Sequence, residues 1–559
     1  MKLLKVKIKN FKSIKEIEFE YPESGILVLV GENNAGKSNI IRALDLICGE
    51  SWIGKDKLEN HDYYLRDTSL DLQIVLYFDN KRSVRFKPDE GKWGITYFTD
   101  WSQTTKMPFT SNIKEDFPST YLGADRTLDK HLSFYDWTLI GRIRKAFHKN
   151  VTSENKNKLN QKFSELIEIF DTVPGFVDFK NDFTNNYKTL LPEFKTNLQV
   201  DFQPFTPSNY FKTMQIMGTD PAFTDVPVDL NELGEGARNL ILISLLQSFA
   251  KNFKGTDGSL SGILALEEPE LFLHPQARRH LFSVLRTIAR NGMQVIISTH
   301  SDSFIDTEYF DEIGRVVKIE DDENEERLQT KLITCSKQRL IDHCIETGVP
   351  ASKVSMENIT EFYRTTSNVK LNEGFFAKHL ILVEGETEEL AIPELLREYD
   401  IDCDSQGISI IPVQGKNQIP KYWRLYSQFE IPITIIIDSD NSDGKEKSNK
   451  NIADCFDLKI DDIISNIEII NLIELEAFPN TRLLVLDLDF ENAFEKDLAK
   501  HNYNTKFQQF EGEAKDLIKP LKNQQKGVIA RYIVRKSLRL PNFNSRIGEV
   551  IAETLRIEY

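Results

Sequence analysis

Cysteine is scarce in this chain of 559 residues: Cys48, Cys335, Cys344, Cys403 and Cys455 are odd in number, scattered, and form no CxxC pair. That removes the case for a disulfide framework or a zinc site and fits a reducing cytoplasm. No apolar run reaches the roughly 18 residues a bilayer span requires, so no membrane partner is expected. The opening Met1-Lys-Leu-Leu-Lys-Val-Lys-Ile-Lys alternates charge and apolarity, which reads as a strand and not as a signal peptide. An excess of positive charge is also missing. Lys and Arg number 70 against 86 Asp and Glu, a net charge of −16. This balance argues against wholesale coating of nucleic acid, although a local basic groove is still allowed. What is present is ordinary: 40% hydrophobic and 28% charged residues, enough chain for two or three domains with cores of their own.

The first motif follows a buried strand, Ile26-Leu-Val-Leu-Val30. Gly31-Glu-Asn-Asn-Ala-Gly36-Lys37-Ser38 is a complete GxxxxGK[ST] loop, and a helical pattern continues through Ile40, Ile41, Leu44 and Ile47. Strand, glycine loop and helix N-terminus are the context in which backbone N–H groups close around phosphate oxygens. Asn34, Gly36, Lys37, Ser38 and Asn39 are therefore expected to line a nucleotide. Lys37 would reach its β- and γ-phosphates and Ser38 would hold Mg²⁺. Further on, Gly234 and Gly236 open an apolar helix beside Arg238, a pattern that alone is more often a simple turn. Ile263-Leu-Ala-Leu-Glu267-Glu268-Pro269-Glu270 is a buried strand ending in acids, and Gln294-Val-Ile-Ile-Ser-Thr-His300 is a strand ending in histidine.

A second chemistry is written in residues 379–440. His379-Leu-Ile-Leu-Val-Glu384-Gly385-Glu386-Thr387-Glu388 is an apolar strand ending in a carboxylate, and Ile431-Pro-Ile-Thr-Ile-Ile-Ile-Asp438-Ser439-Asp440 is one ending in two. The strand period of two points Asp438 and Asp440 the same way. A helical Glu388 is expected to lean back over Glu384. Four carboxylates at one sheet edge repel one another, and a hard divalent cation relieves the repulsion. The bland alternative is a set of exposed strand-end charges.

In this order the pieces of residues 1–330 resemble the ABC-type ATPase heads of the RecF, SMC and OLD (overcoming lysogenisation defect) group, whose first strand is similar to Ile8-Lys-Asn-Phe11-Lys-Ser-Ile14. The resemblance implies a Walker A loop at residues 31–38 and a signature loop at 233–238 facing ATP on a second subunit. It also implies a Walker B pair at Glu267 and Glu268 with Glu268 as base, a D-loop at 271–275 and a switch histidine at His300. Asp125-Arg126 matches the arginine-bearing segment of such heads. Glu267 stands where the family has aspartate, which implies weaker Mg²⁺ positioning and slow hydrolysis.

Residues 384–388, Val413-Gln-Gly415-Lys416-Asn417 and Asp438-Ser-Asp440 together resemble the TOPRIM fold of topoisomerases, primases and OLD nucleases, with Gln414 in place of a frequent glycine. An ATPase head followed by TOPRIM is the arrangement of the OLD nuclease family, which includes the Gabija A nuclease of antiphage defence. The fold class expected is α/β. It comprises an ABC-type P-loop head over 1–330 with a helical or dimerisation insertion at about 128–225, a helical linker over 331–376, and a TOPRIM domain over 377–559 with a basic helical C-terminal part. The acidic run 320–326 reads as a hairpin or exit from the head.

The family's later acid is expected at Glu491, with Glu474, Glu476 and Asp489 as competitors. Its lysine corresponds to Lys526 in Lys526-Gly-Val-Ile-Ala530, within a run of eight Lys or Arg over 515–539. That run otherwise reads as a solvated face. The expected activity is two-metal phosphodiester hydrolysis. Glu384, Glu388, Asp438, Asp440 and Glu491 would hold two Mg²⁺ or Mn²⁺ ions, with Lys526 steadying charge on the phosphate. ATP with a further Mg²⁺ is the second cofactor. The partners expected are DNA, a second copy of the chain in a homodimer or larger assembly, and a defence-system protein such as a helicase or a reverse transcriptase with its RNA–DNA. The competing readings are a DNA-sensing scaffold and a RecF-like repair ATPase without nuclease activity.

Overall fold

The computed structural model describes residues 1–49, 58–90, 94–123, 153–170, 262–322, 324–364, 369–440, 446–465, 467–519 and 526–556, with short pieces between 172 and 248. The chain divides into two compact units: Met1–Lys2, Leu44–Trp52 and Phe109–Val295 in one, Leu3–Ala43, Ile53–Pro108 and Ile296–Tyr559 in the other.

The larger unit starts with β1 (Leu3–Phe11) and β2 (Ile14–Glu20), an antiparallel hairpin. Val6 and Ile8 face the core, while Lys5 and Lys7 meet Glu18 and Glu16 across the strands at 2.5 and 2.7 Å. β3 (Ile26–Val30) is buried at every position, the pattern of a strand covered on both faces, and delivers the chain to the glycine loop and α1 (Lys37–Cys48). β4 (Gln73–Phe78), β5 (Ser83–Phe86), β6 (Ile95–Phe98) and β7 (Lys106–Met107) complete a six-stranded antiparallel sheet of order β2-β1-β4-β5-β6-β7.

In the smaller unit β8 (Ser119–Leu122) precedes α2 (Ser153–Phe170) and a hairpin of β9 (Gly218–Asp220) with β10 (Phe223–Val228). Most of the expected insertion at about 128–225 lies outside the described residues. So do Asp125, Arg126 and all of the signature segment 233–238 except Gly234. β11 (Ile263–Glu267) runs parallel to β8, and α3 (Pro275–Arg290) begins with proline at its first position, where the missing N–H costs nothing. β12 (Gln294–Ser298) follows.

Back in the larger unit, β13 (Ile313–Asp321) lies parallel to β3 and antiparallel to β14 (Asn324–Thr334), so the acidic run falls on the turn between them. α4 (Lys337–Glu346) starts behind Ser336, whose hydroxyl accepts from Arg339 N. Buried Arg315 on β13 donates to the main-chain oxygens of Ala377, Phe429 and Glu430 at 3.0–3.2 Å, and its pKa is pushed down to about 10 by burial. Lys378 and Lys331 add ion pairs to Glu32 (2.7 Å) and Glu430 (2.6 Å).

The C-terminal sheet is doubly wound: β15 (His379–Val383), α5 (Glu386–Arg397), β16 (Ile408–Pro412), α6 (Ile419–Ser427), β17 (Ile433–Asp438), α7 (Glu446–Phe456), β18 (Ile470–Glu474), β19 (Thr481–Leu486) and then α8 (Phe490–Lys500). Its order is β16-β15-β17-β19-β18, parallel except for β18. α9 (Lys506–Ile518), α10 (Lys526–Ser537) and α11 (Arg546–Leu555) follow. Ile381, Val383, Ile436, Leu484 and Leu486 join Ile392, Phe494, Ile533 and Ile551 in one core, whereas α6 packs its Trp423 against Phe456 and Phe478 and its Tyr426 against Phe375. No helix among the described residues is long and apolar enough to cross a membrane.

Candidate metal centre and nucleotide loop

From β15 the chain turns to β16 on one side and then crosses to β17 on the other, so the order reverses between β15 and β17. In an open parallel sheet such a switch point leaves a crevice at the carboxyl ends of the strands. Glu384 leaves β15 there and Asp438 ends β17 there. The Glu384 Oε1 accepts from Asp438 N at 2.9 Å. Glu388, in the first turn of α5 and 5% exposed, reaches back so that its Oε2 accepts from Gly385 N at 3.1 Å. This is half of a capping box. Burial, then Glu384 and Glu491, push the Glu388 carboxyl up to about 7. Burial pushes Asp438 up to about 9, with Glu384, Glu388, Asp440 and Asp489 each adding to the shift. The acids therefore feel one another as like charges.

Asp440 is not placed by strand alternation. β17 ends at Asp438, and Asp440 turns into the left-handed region at φ +47°. The turn is fixed by Ser439 N to Leu486 O (2.8 Å), Asp440 N to Leu488 O (3.1 Å) and Leu488 N to the buried Ser439 Oγ (2.8 Å). Gln414 is likewise left-handed at φ +62°, a conformation that glycine adopts most easily. The next residue, Gly415, donates its N–H to Glu384 O at 2.8 Å. Lys416 was given no role by its motif, yet it is 4% exposed, donates to the Asp438 main-chain oxygen, and stands 3.9 Å from Asp440 Oδ2.

Glu491 sits in the first turn of α8, capped by Asp489, which accepts from Asn492 N at 2.8 Å. Burial and then Asp489 raise the Glu491 carboxyl, and Lys526 opposes the rise. Glu474 and Glu476 are exposed, and Glu474 pairs in register with Arg482 at the start of β19, so both lie at the opposite end of the sheet from Asp438. Among the described residues no three acidic, histidine or cysteine side chains already share one cation position. The donors are nonetheless all oxygen, crowded and mutually repelling, which is a set that suits a hard divalent ion.

At the nucleotide loop, Lys37 starts α1 and donates to Gly31 O and Glu32 O, both at 2.8 Å. Gly36 has φ +113°, and a Cβ there would stand 2.4 Å from Thr330 Oγ1, so only glycine fits. Thr330 Oγ1 donates to Ala35 O (2.8 Å) and shares a hydrogen bond with Ser13 Oγ (2.7 Å), which accepts from Asn39 Nδ2 (2.7 Å). Asn34 is exposed and left-handed at φ +65°, and Ser38 is half-buried beside Lys37. His300 is exposed just beyond β12, in the larger unit. Glu267 closes β11 in the smaller unit, followed by Glu268 at φ +44°.

Two family models match: "AAA domain, putative AbiEii toxin, Type IV TA system" over residues 26–306, half of the chain, and "Overcoming lysogenization defect protein-like, TOPRIM domain" over 375–440. The chain is 23% identical over 470 residues to the OLD nuclease of Thermus scotoductus, covering 78% of this chain and 82% of that one. The chain belongs to the family of the AAA-domain model, and the relatives it is similar to over most of its length include OLD nucleases. The Old nuclease of Escherichia phage P2 is 24% identical over 79% of this chain and 77% of its own. The endonuclease GajA of Bacillus cereus HuB5-5 is 23% identical over 79% and 64%. A solved SMC head bound to the C-winged helix domain of ScpA overlays 60% of this chain and 99% of its own at 13% identity, with a TM-score of 0.36, too loose to bear on the argument.

Four of the eight basic residues over 515–539 are spent on internal ion pairs. Arg531 and Arg535 on α10 clamp the buried Glu394 at 2.8 and 2.6 Å, Lys515 meets Glu511 at 2.6 Å and Lys536 meets Glu513 at 3.5 Å. Lys526 is exposed at the head of α10. Its neighbour Gly527 lies so close to α5 that a Cβ would stand 2.6 Å from Glu386 O.

Proposed function

We propose that the chain is an ATP-controlled, divalent-metal-dependent DNA endonuclease or nickase of antiphage defence. Residues 1–330 serve as ATPase, 331–376 as helical linker and 377–559 as nuclease. The observation that carries this reading is the set of like charges at the β15–β17 switch point, where Asp438 is held up to about 9 and Glu388 up to about 7. Burial is the largest cause of both shifts and the neighbouring carboxylates add to it, an arrangement that a bound cation relieves. Two Mg²⁺ or Mn²⁺ ions would supply water activation and leaving-group stabilisation at this place. Glu384, Glu388, Asp438, Asp440 and Glu491 would hold them, and Lys526, whose charge Glu491 already feels, would face the phosphate.

The nucleotide half uses Lys37, Ser38 and Asn39 on the loop, Glu267 and Glu268 after β11, and His300 after β12. Gly234, Gly236 and Arg238 are supplied by a second copy, so a homodimer or larger homo-oligomer is required. The names of the phage P2 Old nuclease and of endonuclease GajA support the nuclease activity; the defence role and a partner protein rest on the resemblance carried by the sequence motifs. The test is plasmid nicking in Mg²⁺ or Mn²⁺. The wild-type chain is expected to cut and Asp438→Ala to be inert. Asp438→Ala with full biological activity would instead mark the chain as a DNA-sensing scaffold.

A further inference from the structure

We infer that Lys416 is a positioning residue of the nuclease site, a resident cation at Asp440 with which a divalent ion must compete. The inference rests on the proposed metal-dependent reading. Its ammonium is buried between the Asp438 main-chain oxygen, to which it donates, and Asp440 Oδ2 at 3.9 Å. The backbone on both sides is tied down. Gly415 N donates to Glu384 O, Gln418 N donates to Gly415 O at 2.9 Å, and Asn417 is held by Ser448 Oγ (3.2 Å) and Asn451 Nδ2 (2.9 Å) of α7. Asp440 is tied to Leu488 O through its own N–H. The main chain at both partners is held, so an ion arriving at Asp440 meets the lysine through side-chain movement.

The four acids are thereby unequal. Glu384, Glu388 and Asp438 crowd one another, whereas Asp440 already has a positive neighbour. An ion that needs Asp440 is opposed by Lys416, because a dication beside an ammonium is a like-charge pair at short range. The site then fills in two unequal steps, and Lys416 sets the weaker one.

The test is Mn²⁺ binding to the full chain without nucleotide or DNA, followed by calorimetry and by the electron paramagnetic resonance of free Mn²⁺. Lys416→Met is expected to tighten the weaker step by roughly tenfold or more, the size of effect that removing one close like charge produces. Lys416→Arg, which keeps the charge, is expected to bind as wild type does. Asp440→Asn placed on Lys416→Met is expected to abolish the gain. Lys416→Gln can still donate to the Asp438 oxygen, and it stands in if the methionine variant does not fold. A lysine that merely braced the turn would, on removal, leave Mn²⁺ binding weaker or unchanged; that result in both neutral variants overturns the inference. A wild-type chain that binds no Mn²⁺ overturns the metal-dependent reading itself, which is a different outcome.

Discussion

The molecule carries two strand–turn–helix sites of similar layout and opposite electrostatics. At residues 31–38 the turn is neutral, braced from behind by Thr330 and Ser13, and aims Lys37 and a helix N-terminus inward. At residues 384–388 and 438–440 the same kind of turn gathers acids that burial forces toward protonation. The first site attracts an anion with charge the protein already owns. The second is incomplete by its own chemistry. Placing a phosphate loop costs glycine and a close fit, whereas placing an acid cluster costs stability until a counter-charge arrives.

Breaking the acid side should have the largest effect. Asp438→Asn is expected to lower cleavage on the order of a thousandfold, as loss of one transition-state electrostatic group does, while leaving ATP binding intact. Breaking the phosphate side comes next. Lys37→Ala is expected to weaken ATP binding by roughly tenfold to a hundredfold, the value of a charge-assisted hydrogen bond, with Mn²⁺ binding at the acids unaffected; equilibrium dialysis of each ligand checks both. Gly527→Ala, which drives a methyl into Glu386 O, should cost ~1–3 kcal/mol by overpacking and lower the melting temperature.

The comparison is sharpened by pH. A carboxyl raised from about 4 unfolded to about 9 folded binds more protons when folded, so its contribution to stability falls as pH rises between those values. Metal-free Asp438→Asn is therefore expected to melt higher than wild type, with a larger gain at pH 8 than at pH 5, and Mn²⁺ affinity is expected to rise from pH 6 to pH 9 with release of protons.

Much of this was legible in the chain itself. The strand before Gly31 and the two before Glu384 and Asp438 are largely apolar runs ending in polar turns, and such runs have few places to go but the middle of a sheet. What was hidden depends on contacts distant in sequence. Nothing near Arg531 or Arg535 says that Glu394 consumes their charge, so the basic run looked more available than it is. Period two gives the wrong cause for Asp440, because the strand stops at Asp438 and a left-handed turn, not the pleat, keeps it near that residue. Lys416 sat in plain view within a motif, but its burial depends on the β17 turn it meets. Glu474 competed with Glu491 until the antiparallel course of β18 put it at the wrong edge.

The brace beneath Gly36 also has a consequence in time. Thr330 and the Ala35 oxygen it holds are 295 positions apart. At ~5–20 residues per second of synthesis, roughly 15–60 s pass between the emergence of one and the other. Through that interval the nascent phosphate loop lacks its floor, so a ribosome-bound fragment ending before β14 is expected to handle nucleotide poorly even though every residue of its Walker sequence has been made.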